Sequence, residues 1–145
     1  MKKGFTLIEF IMVAALIIMF SGLTLPVGFN SYQESTLRDQ ARNLENSLRK
    51  AQAMAMTGRG ESNAGVRIIP EEQKYIIFEG ERIDIIIPFP IALSVSGANE
   101  IVFQKSTGLP TFPEEERSII ITFGASSQEI TINSQGKIER REPGE

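Results

Sequence analysis

The chain has 145 residues and a formal net charge of −3 at neutral pH, with acidic and basic residues interspersed along it. This length leaves room for one apolar segment and one compact domain of about 90 to 110 residues, which excludes two further domains. The sequence contains no Cys and no His, which excludes disulfides, thiolate nucleophiles, imidazole bases, the common zinc ligands and a lipid anchor on cysteine.

The N-terminal segment is the most distinctive part of the sequence. Lys2 and Lys3 precede an apolar run, residues 5–29, in which Glu9 is the sole charged residue. A helix needs roughly 20 apolar residues to cross a bilayer, so the run is long enough for a membrane span. The two lysines favour a cytoplasmic N-terminus. A cleaved secretory signal or a simple membrane anchor accounts for the basic start, but neither accounts for a carboxylate inside the run.

Residues 4–9, with the sequence Gly-Phe-Thr-Leu-Ile-Glu, resemble the class III signal of type IV pilins and type II secretion pseudopilins. The resemblance implies that a prepilin peptidase removes residues 1–4 as a leader by cutting between Gly4 and Phe5, and methylates the new N-terminus. It also implies that the α-amino group of Phe5 pairs with Glu9 of a neighbouring subunit in a filament. Such a cation offsets the cost of placing a carboxylate in an apolar span.

Gly22 and Pro26 interrupt the apolar run. Proline lacks an N–H and clashes with the preceding helical turn, while glycine weakens a helix through its conformational freedom. Together they predict a kink or a locally melted turn. The resemblance to pilins implies that the helix stretches at this point when the subunit packs into a filament, which makes residues 22–26 the expected flexible segment.

Residues 31–56 keep a helical period while their polar content rises. Their apolar members recur at steps of four and three, which predicts one buried stripe on one helix face: Leu37, Ala41, Leu44, Leu48, Ala51 and Ala55. The charged residues between them are expected to face solvent. The sequence therefore predicts one long helix, residues 5–56, which ends near Gly58 or Gly60 because glycine suits a left-handed C-cap.

After Gly60 the period becomes that of β-strands. Short β-rich runs predict strands at 66–69, 75–79, 83–87, 91–95, 100–105, 118–123, 129–133 and 137–140. Residues 70–73 are predicted to form a hairpin connection, and residues 133–136 a type I turn that ends in a left-handed Gly136. The predicted fold class is α+β, with a long N-terminal helix packed on an antiparallel sheet or a two-sheet head.

The predicted organisation has four parts: a leader (1–4), a transmembrane and filament-core helix (5–29), an amphipathic helix (30–57) and a β-rich head (58–145). The stretches LRKAQAMAM, GVRII and ITFGASSQEITINSQGKIER resemble GspH- and FimT-type minor pseudopilins and minor pilins. This resemblance implies a structural subunit with one span in the cytoplasmic membrane and an extracytoplasmic head. Its partners would be prepilin peptidase and the other subunits of a type II secretion pseudopilus or type IV pilus; a major pilin is the alternative.

The head offers no convincing catalytic or metal-binding pattern. The acidic run 114–116 lacks the spaced ligands and loop glycine of a calcium site, so a solvated loop is expected. Glu79, Glu81 and Asp84 are expected to be surface charges of a hairpin, since nothing in the sequence requires two of them to converge. No nucleophile motif is present. The sequence predicts a protein that is not an enzyme and has no cofactor.

Lys137, Arg140 and Arg141 form the late basic cluster of the sequence. A solvated terminal strand is one interpretation. The other follows from the resemblance to FimT-like minor pilins, some of which contribute to DNA uptake through basic residues near the C-terminus, where cations neutralise phosphates. Glu139, Glu142 and Glu145 dilute the positive charge, so both interpretations are carried forward.

Overall fold

The computed structural model describes residues 6–57, 62–112 and 116–141, and for residues 21–30 it describes the backbone but not the side chains. The chain divides into two compact units, Met1–Gln33 and Glu34–Glu145. Helix α1, Leu7–Thr57, begins in the first unit and ends in the second. The predicted C-cap residues Gly58 and Gly60 lie outside the described residues.

The first unit contains the apolar part of α1. Large apolar side chains between residues 7 and 20 are exposed on every side of the helix. None of the helices among residues with described side chains contains an apolar stretch long enough to cross a membrane. Phe5 and residues 21–29 of the predicted span lie outside that description.

The second unit contains the amphipathic part of α1 and the β-strands. The predicted stripe is confirmed, because Leu37, Ala41, Leu44, Leu48, Ala51 and Ala55 are all buried. Eight strands follow in the described residues: β1 Ala64–Ile69, β2 Lys74–Glu79, β3 Arg82–Pro88, β4 Ser94–Gly97, β5 Glu100–Phe103, β6 Glu116–Phe123, β7 Ser126–Asn133 and β8 Ile138–Arg141.

The described strands form two antiparallel sheets of four strands each. The first sheet has the order β3-β2-β1-β5 and the second has the order β4-β6-β7-β8. Alternate residues of both sheets join the stripe of α1 in one core, for example Val66 and Ile77 of the first sheet and Ile121 and Ile130 of the second. The predicted α+β class, with a long helix packed on a two-sheet antiparallel head, is confirmed.

Two predicted turns are confirmed at residue level. Pro70–Glu72 form a short 3-10 turn, and Gln73 adopts a left-handed conformation that returns the chain into β2. In the β7–β8 turn, Gly136 has φ 77° and its N–H donates to Asn133 O at 2.9 Å. The Asn133 side chain accepts a hydrogen bond from the Lys137 N–H at 2.8 Å, which fixes the start of β8.

The predicted strand at 91–95 is wrong over residues 91–93, because β4 covers Ser94–Gly97. Pro90 and Leu93 close a turn in which the Leu93 N–H donates to Pro90 O at 3.0 Å, and the strand begins at Ser94. Ile91 is 90% exposed at this turn, so its β-propensity did not decide its conformation. The predicted strand at 100–105 also ends earlier, at Phe103, because Lys105 lies in a turn.

Candidate functional site

Glu9 lies in the first turn of α1, whereas the predicted processing residues Gly4 and Phe5 lie outside the described residues. The Thr6 hydroxyl donates to Glu9 Oε2 over 3.5 Å. This distance is long for a hydrogen bond between oxygens. An ionised carboxylate has about four acceptor positions, so the contact with Thr6 leaves Glu9 able to accept hydrogen bonds from a cation.

The surroundings of Glu9 are apolar and exposed. The large apolar side chains in this part of α1 that are more than half exposed are Leu7, Ile8, Phe10, Ile11, Met12, Leu16, Ile17, Ile18, Met19 and Phe20. A helix that is apolar all round belongs in a membrane or in a protein core. The helix N-terminus stabilises a nearby carboxylate by about 0.3–1 kcal/mol. Burial of a charge among lipids costs about 2.5–3.5 kcal/mol on insertion scales, so Glu9 requires a further partner once this surface is covered.

Gly22 and Pro26 lie within the continuous helix α1, in the stretch whose side chains are not described. The helical backbone is continuous through both positions. The proposed stretching concerns a subunit packed in a filament, so the flexible segment stays a prediction.

Two of the three basic residues predicted at the C-terminus, Lys137 and Arg141, are brought together with an acidic residue. Lys137 Nζ lies 2.5 Å from Glu139 Oε1, and Arg141 Nη2 lies 3.5 Å from Glu139 Oε2. The hydrogen bond from Lys137, with its positive charge and that of Arg141, holds the pKa of Glu139 below its usual value. Glu139 therefore stays ionised at neutral pH and compensates part of the positive charge.

A fourth basic residue, Arg49, was missed by the sequence analysis. It lies on α1, where Nη2 donates to Glu45 at 2.8 Å and approaches Ile138 O at 3.5 Å. We call Arg49, Lys137, Arg140 and Arg141 the β8 basic cluster; with Glu45 and Glu139 they line a shallow groove of about 620 Å³. No sequence pattern links Arg49 to β8, because the contact arises from packing of α1 against the second sheet.

Arg140 is the least solvated member of the β8 basic cluster. It is partly buried, and its Nη1 atom is buried without a hydrogen-bond partner among the described residues. Four basic and two acidic residues line the groove. Arg140 lies on the same face of β8 as the buried Ile138, whereas Glu139 and Arg141 lie on the other face. Such an arrangement can accept a phosphate, but less strongly than a cluster without Glu139.

The remaining acidic residues do not form a site in the described part of the chain. Asp84 pairs with Arg82 over 3.1 Å at the start of β3, and Glu116 begins β6 while residues 114–115 lie outside the description. Among the described residues, no group of three potential metal ligands comes together.

The arrangement of helix and sheets is similar to that of a solved pseudopilin. The minor pseudopilin EpsH from the type 2 secretion system of Vibrio cholerae matches with a TM-score of 0.58 and 14% sequence identity. The match covers 75% of this chain and 98% of that chain. No protein-family model matches the sequence, and neither does a curated protein. At this identity the likeness concerns the fold: the chain has the fold of a minor pseudopilin.

Proposed function

We propose that this chain is a minor subunit of a type II secretion pseudopilus or a type IV pilus. Prepilin peptidase cuts after Gly4 and the new N-terminus at Phe5 is methylated. The apolar part of α1 holds the subunit in the cytoplasmic membrane, with the head on the extracytoplasmic side. During assembly this part of α1 moves from lipid into the filament core, where Glu9 pairs with the α-amino group of a neighbouring Phe5.

One observation carries this proposal: a pseudopilin fold in which residues 7–20 of α1 expose apolar side chains all round and include one carboxylate, Glu9. The apolar surface requires lipid or neighbouring subunits. The carboxylate requires a cation in the same environment, because an unpaired charge there is strongly disfavoured. A filament of processed subunits supplies both, since each cleavage creates a new α-amino group.

Processing is tested by mass spectrometry of the N-terminal peptide from membranes and from sheared filaments of the native host. We expect the wild-type chain to begin at N-methylated Phe5 and to be present in the filament fraction. The Gly4→Leu variant is expected to retain residues 1–4 and to stay in the membrane fraction, because the bulky residue blocks the cleavage site.

The matched control is Ala15→Leu, which adds a similar side chain to the same apolar run outside the cleavage motif. It should be processed like the wild type. A wild-type chain that keeps residues 1–4 in membranes containing active prepilin peptidase would contradict the proposal. So would a processed chain that is missing from every filament.

DNA contact by the β8 basic cluster is a second candidate function. It is favoured by the position of Arg49, which adds a fourth basic side chain to the three on and beside β8. Glu139 opposes DNA contact by pairing with Lys137 and Arg141.

A role as a major pilin differs from the first proposal in copy number and is tested by quantifying the chain relative to the other filament subunits.

A further inference from the structure

A narrow groove runs between α1 and β3 on the Glu34–Glu145 unit. Its floor is formed by Tyr75 and Ile77, and Ile85 and Ile87 of β3 form one wall. The other side is lined by polar residues of α1, of which Asn43, Asn46 and Lys50 are exposed. The groove has a volume of about 260 Å³, which lies below the roughly 300–1,000 Å³ of small-molecule sites. Side chains of a bound polypeptide suit it better than a cofactor.

Strand β3 is an edge strand among the described residues, because it stands at the end of the strand order and pairs only with β2. The Phe89 N–H donates to Gln73 O at 2.6 Å. In an antiparallel ladder, pairs of residues that exchange hydrogen bonds alternate with pairs whose N–H and C=O groups point away from the neighbouring strand. Phe89 and Gln73 form a pair of the first kind. The register pairs Ile76 with Ile86, so Ile86 directs its N–H and C=O outward. These groups are a template for an added strand.

The side chains on both sides of β3 are suited to an apolar strand. Ile85 and Ile87 are half-buried and face the groove. Ile83 and Ile86 are 55% and 57% exposed and pair with Phe78 and Ile76 on the outer face of the sheet. A strand laid against β3 would cover isoleucine side chains with its alternate residues on both faces.

The positive charge of Lys50 beside the groove predicts an acidic group on the bound strand. Asn43, Asn46 and Lys50 follow one another at steps of three and four, so they lie on the same face of α1. Lys50 has no ion pair within the described part of the chain. A carboxylate of the bound segment would complement this ammonium group, and the two amides would supply neutral hydrogen bonds.

A second copy of β3 is a poor occupant. The pairing of β3 with β2 contains a register shift between Ile77 and Phe78, and Pro88 at the end of β3 has no N–H to donate. Arg82 and Asp84 place charges at its start. Bulges, prolines and charges are devices that oppose long edge-to-edge pairing of identical sheets. They leave a short stretch around Ile86 open to pairing.

We propose that the groove between α1 and β3 binds an extended segment of another polypeptide as an added strand. The segment exchanges backbone hydrogen bonds with Ile86, packs apolar side chains on Ile85 and Ile87, and places an acidic group near Lys50. Binding of this segment needs only the Glu34–Glu145 unit. It can therefore be tested, and can fail, separately from filament assembly through Glu9.

The probe is a library of random linear ten-residue peptides, selected against the full-length chain in detergent. The double variant Asn46→Trp with Lys50→Glu serves for counter-selection, because Trp fills the groove and Glu reverses its charge at exposed helix positions. We expect the enriched peptides to share alternating β-branched residues and one acidic residue. Binding should weaken by about tenfold or more with Lys50→Glu alone.

Two exposed residues of α1 outside the groove provide matched controls: Arg42→Glu repeats the charge reversal, and Ala53→Trp repeats the increase in size. Neither should change the affinity of the selected peptides. Nuclear Overhauser contacts between the peptide backbone and Ile86 should show the added strand. The proposal is overturned if no peptide is enriched over the counter-selection, if the controls weaken binding as much as Lys50→Glu does, or if the contacts map elsewhere.

Discussion

The hydroxyl oxygens of Ser47 on α1 and Tyr75 on β2 lie 3.2 Å apart inside the head. Ser47 also donates to Asn43 O at 2.8 Å, so the Tyr75 hydroxyl is the donor in the contact between the two side chains. Both residues are buried. This contact is a polar link between the helix and the first sheet in a largely apolar core.

The two partners of this link should differ in their contribution to stability. Ser47→Ala leaves the buried Tyr75 hydroxyl without its acceptor, and we expect it to lower the free energy of unfolding by about 1–3 kcal/mol. Tyr75→Phe leaves Ser47 bonded to Asn43 and should cost about 1 kcal/mol or less. Urea unfolding followed by circular dichroism measures both. An equal or reversed ranking would contradict the assigned direction of the hydrogen bond.

Alkaline pH should destabilise the head through Tyr75. Burial raises the pKa of Tyr75 above its ordinary value of 10.0, and Ser47 offsets part of that rise because its hydroxyl can turn to donate to the phenolate. The unfolded state loses the phenolic proton first, so this contribution is complete below pH 10 and is lost as pH rises toward the folded-state pKa. Unfolding measured between pH 9 and 11.5 should show a smaller loss of stability in Tyr75→Phe. An identical loss would contradict the assignment.

Glu139 should limit binding of DNA by the β8 basic cluster. The wild-type chain is expected to bind duplex DNA weakly at low salt, because Glu139 pairs with both Lys137 and Arg141. Glu139→Gln removes this charge and should tighten binding, with a steeper salt dependence as more phosphates are neutralised. Fluorescence anisotropy with a labelled duplex measures both effects.

The triple variant Lys137→Ala, Arg140→Ala and Arg141→Ala is the companion to that experiment and should abolish the binding. Glu81→Gln, an exposed residue in the turn between β2 and β3 of the other sheet, is the matched control for the charge change, and it should leave the affinity unchanged. Equal affinities of the wild type and Glu139→Gln would refute the limiting role of Glu139. No binding by either protein at low salt would end the DNA hypothesis.

The sequence predicted those parts of the fold in which periodicity and burial coincide. The stripe from Leu37 to Ala55 could be recognised because a helix places every third or fourth residue on one face. The turn at Asn133 and Gly136 could be recognised because a left-handed residue favours glycine. By contrast, Ile91 has high β-propensity yet lies in a turn closed by Pro90 and Leu93.

The sequence could not predict contacts between distant segments. Arg49 meets Ile138 across the packing of α1 on the second sheet, and the groove beside β3 depends on which strand becomes the edge. Strand order is set by long-range packing, which one sequence does not encode in a local pattern. The N-terminal motif differs in being local, since residues 4–9 are adjacent in the sequence, and its role in processing and assembly stays a prediction.

The proposed pairing of Glu9 with the α-amino group of Phe5 is tested most directly by Glu9→Gln, which keeps the shape of the side chain and removes its charge. Glu34→Gln, also on α1, is the matched control. Loss of one partner of a buried pair costs about 3–5 kcal/mol, equivalent to more than a hundredfold in an assembly equilibrium. Cleavage after Gly4 should be unchanged, because the cleavage site is intact.

The decisive measurement is the ratio of processed chain in sheared filaments to processed chain in the membrane, determined by quantitative mass spectrometry in the native host. We predict that the ratio falls by about a hundredfold in Glu9→Gln, falls at least as far in Glu9→Lys, and stays at the wild-type value in Glu34→Gln. A wild-type ratio for correctly processed Glu9→Gln would contradict the account.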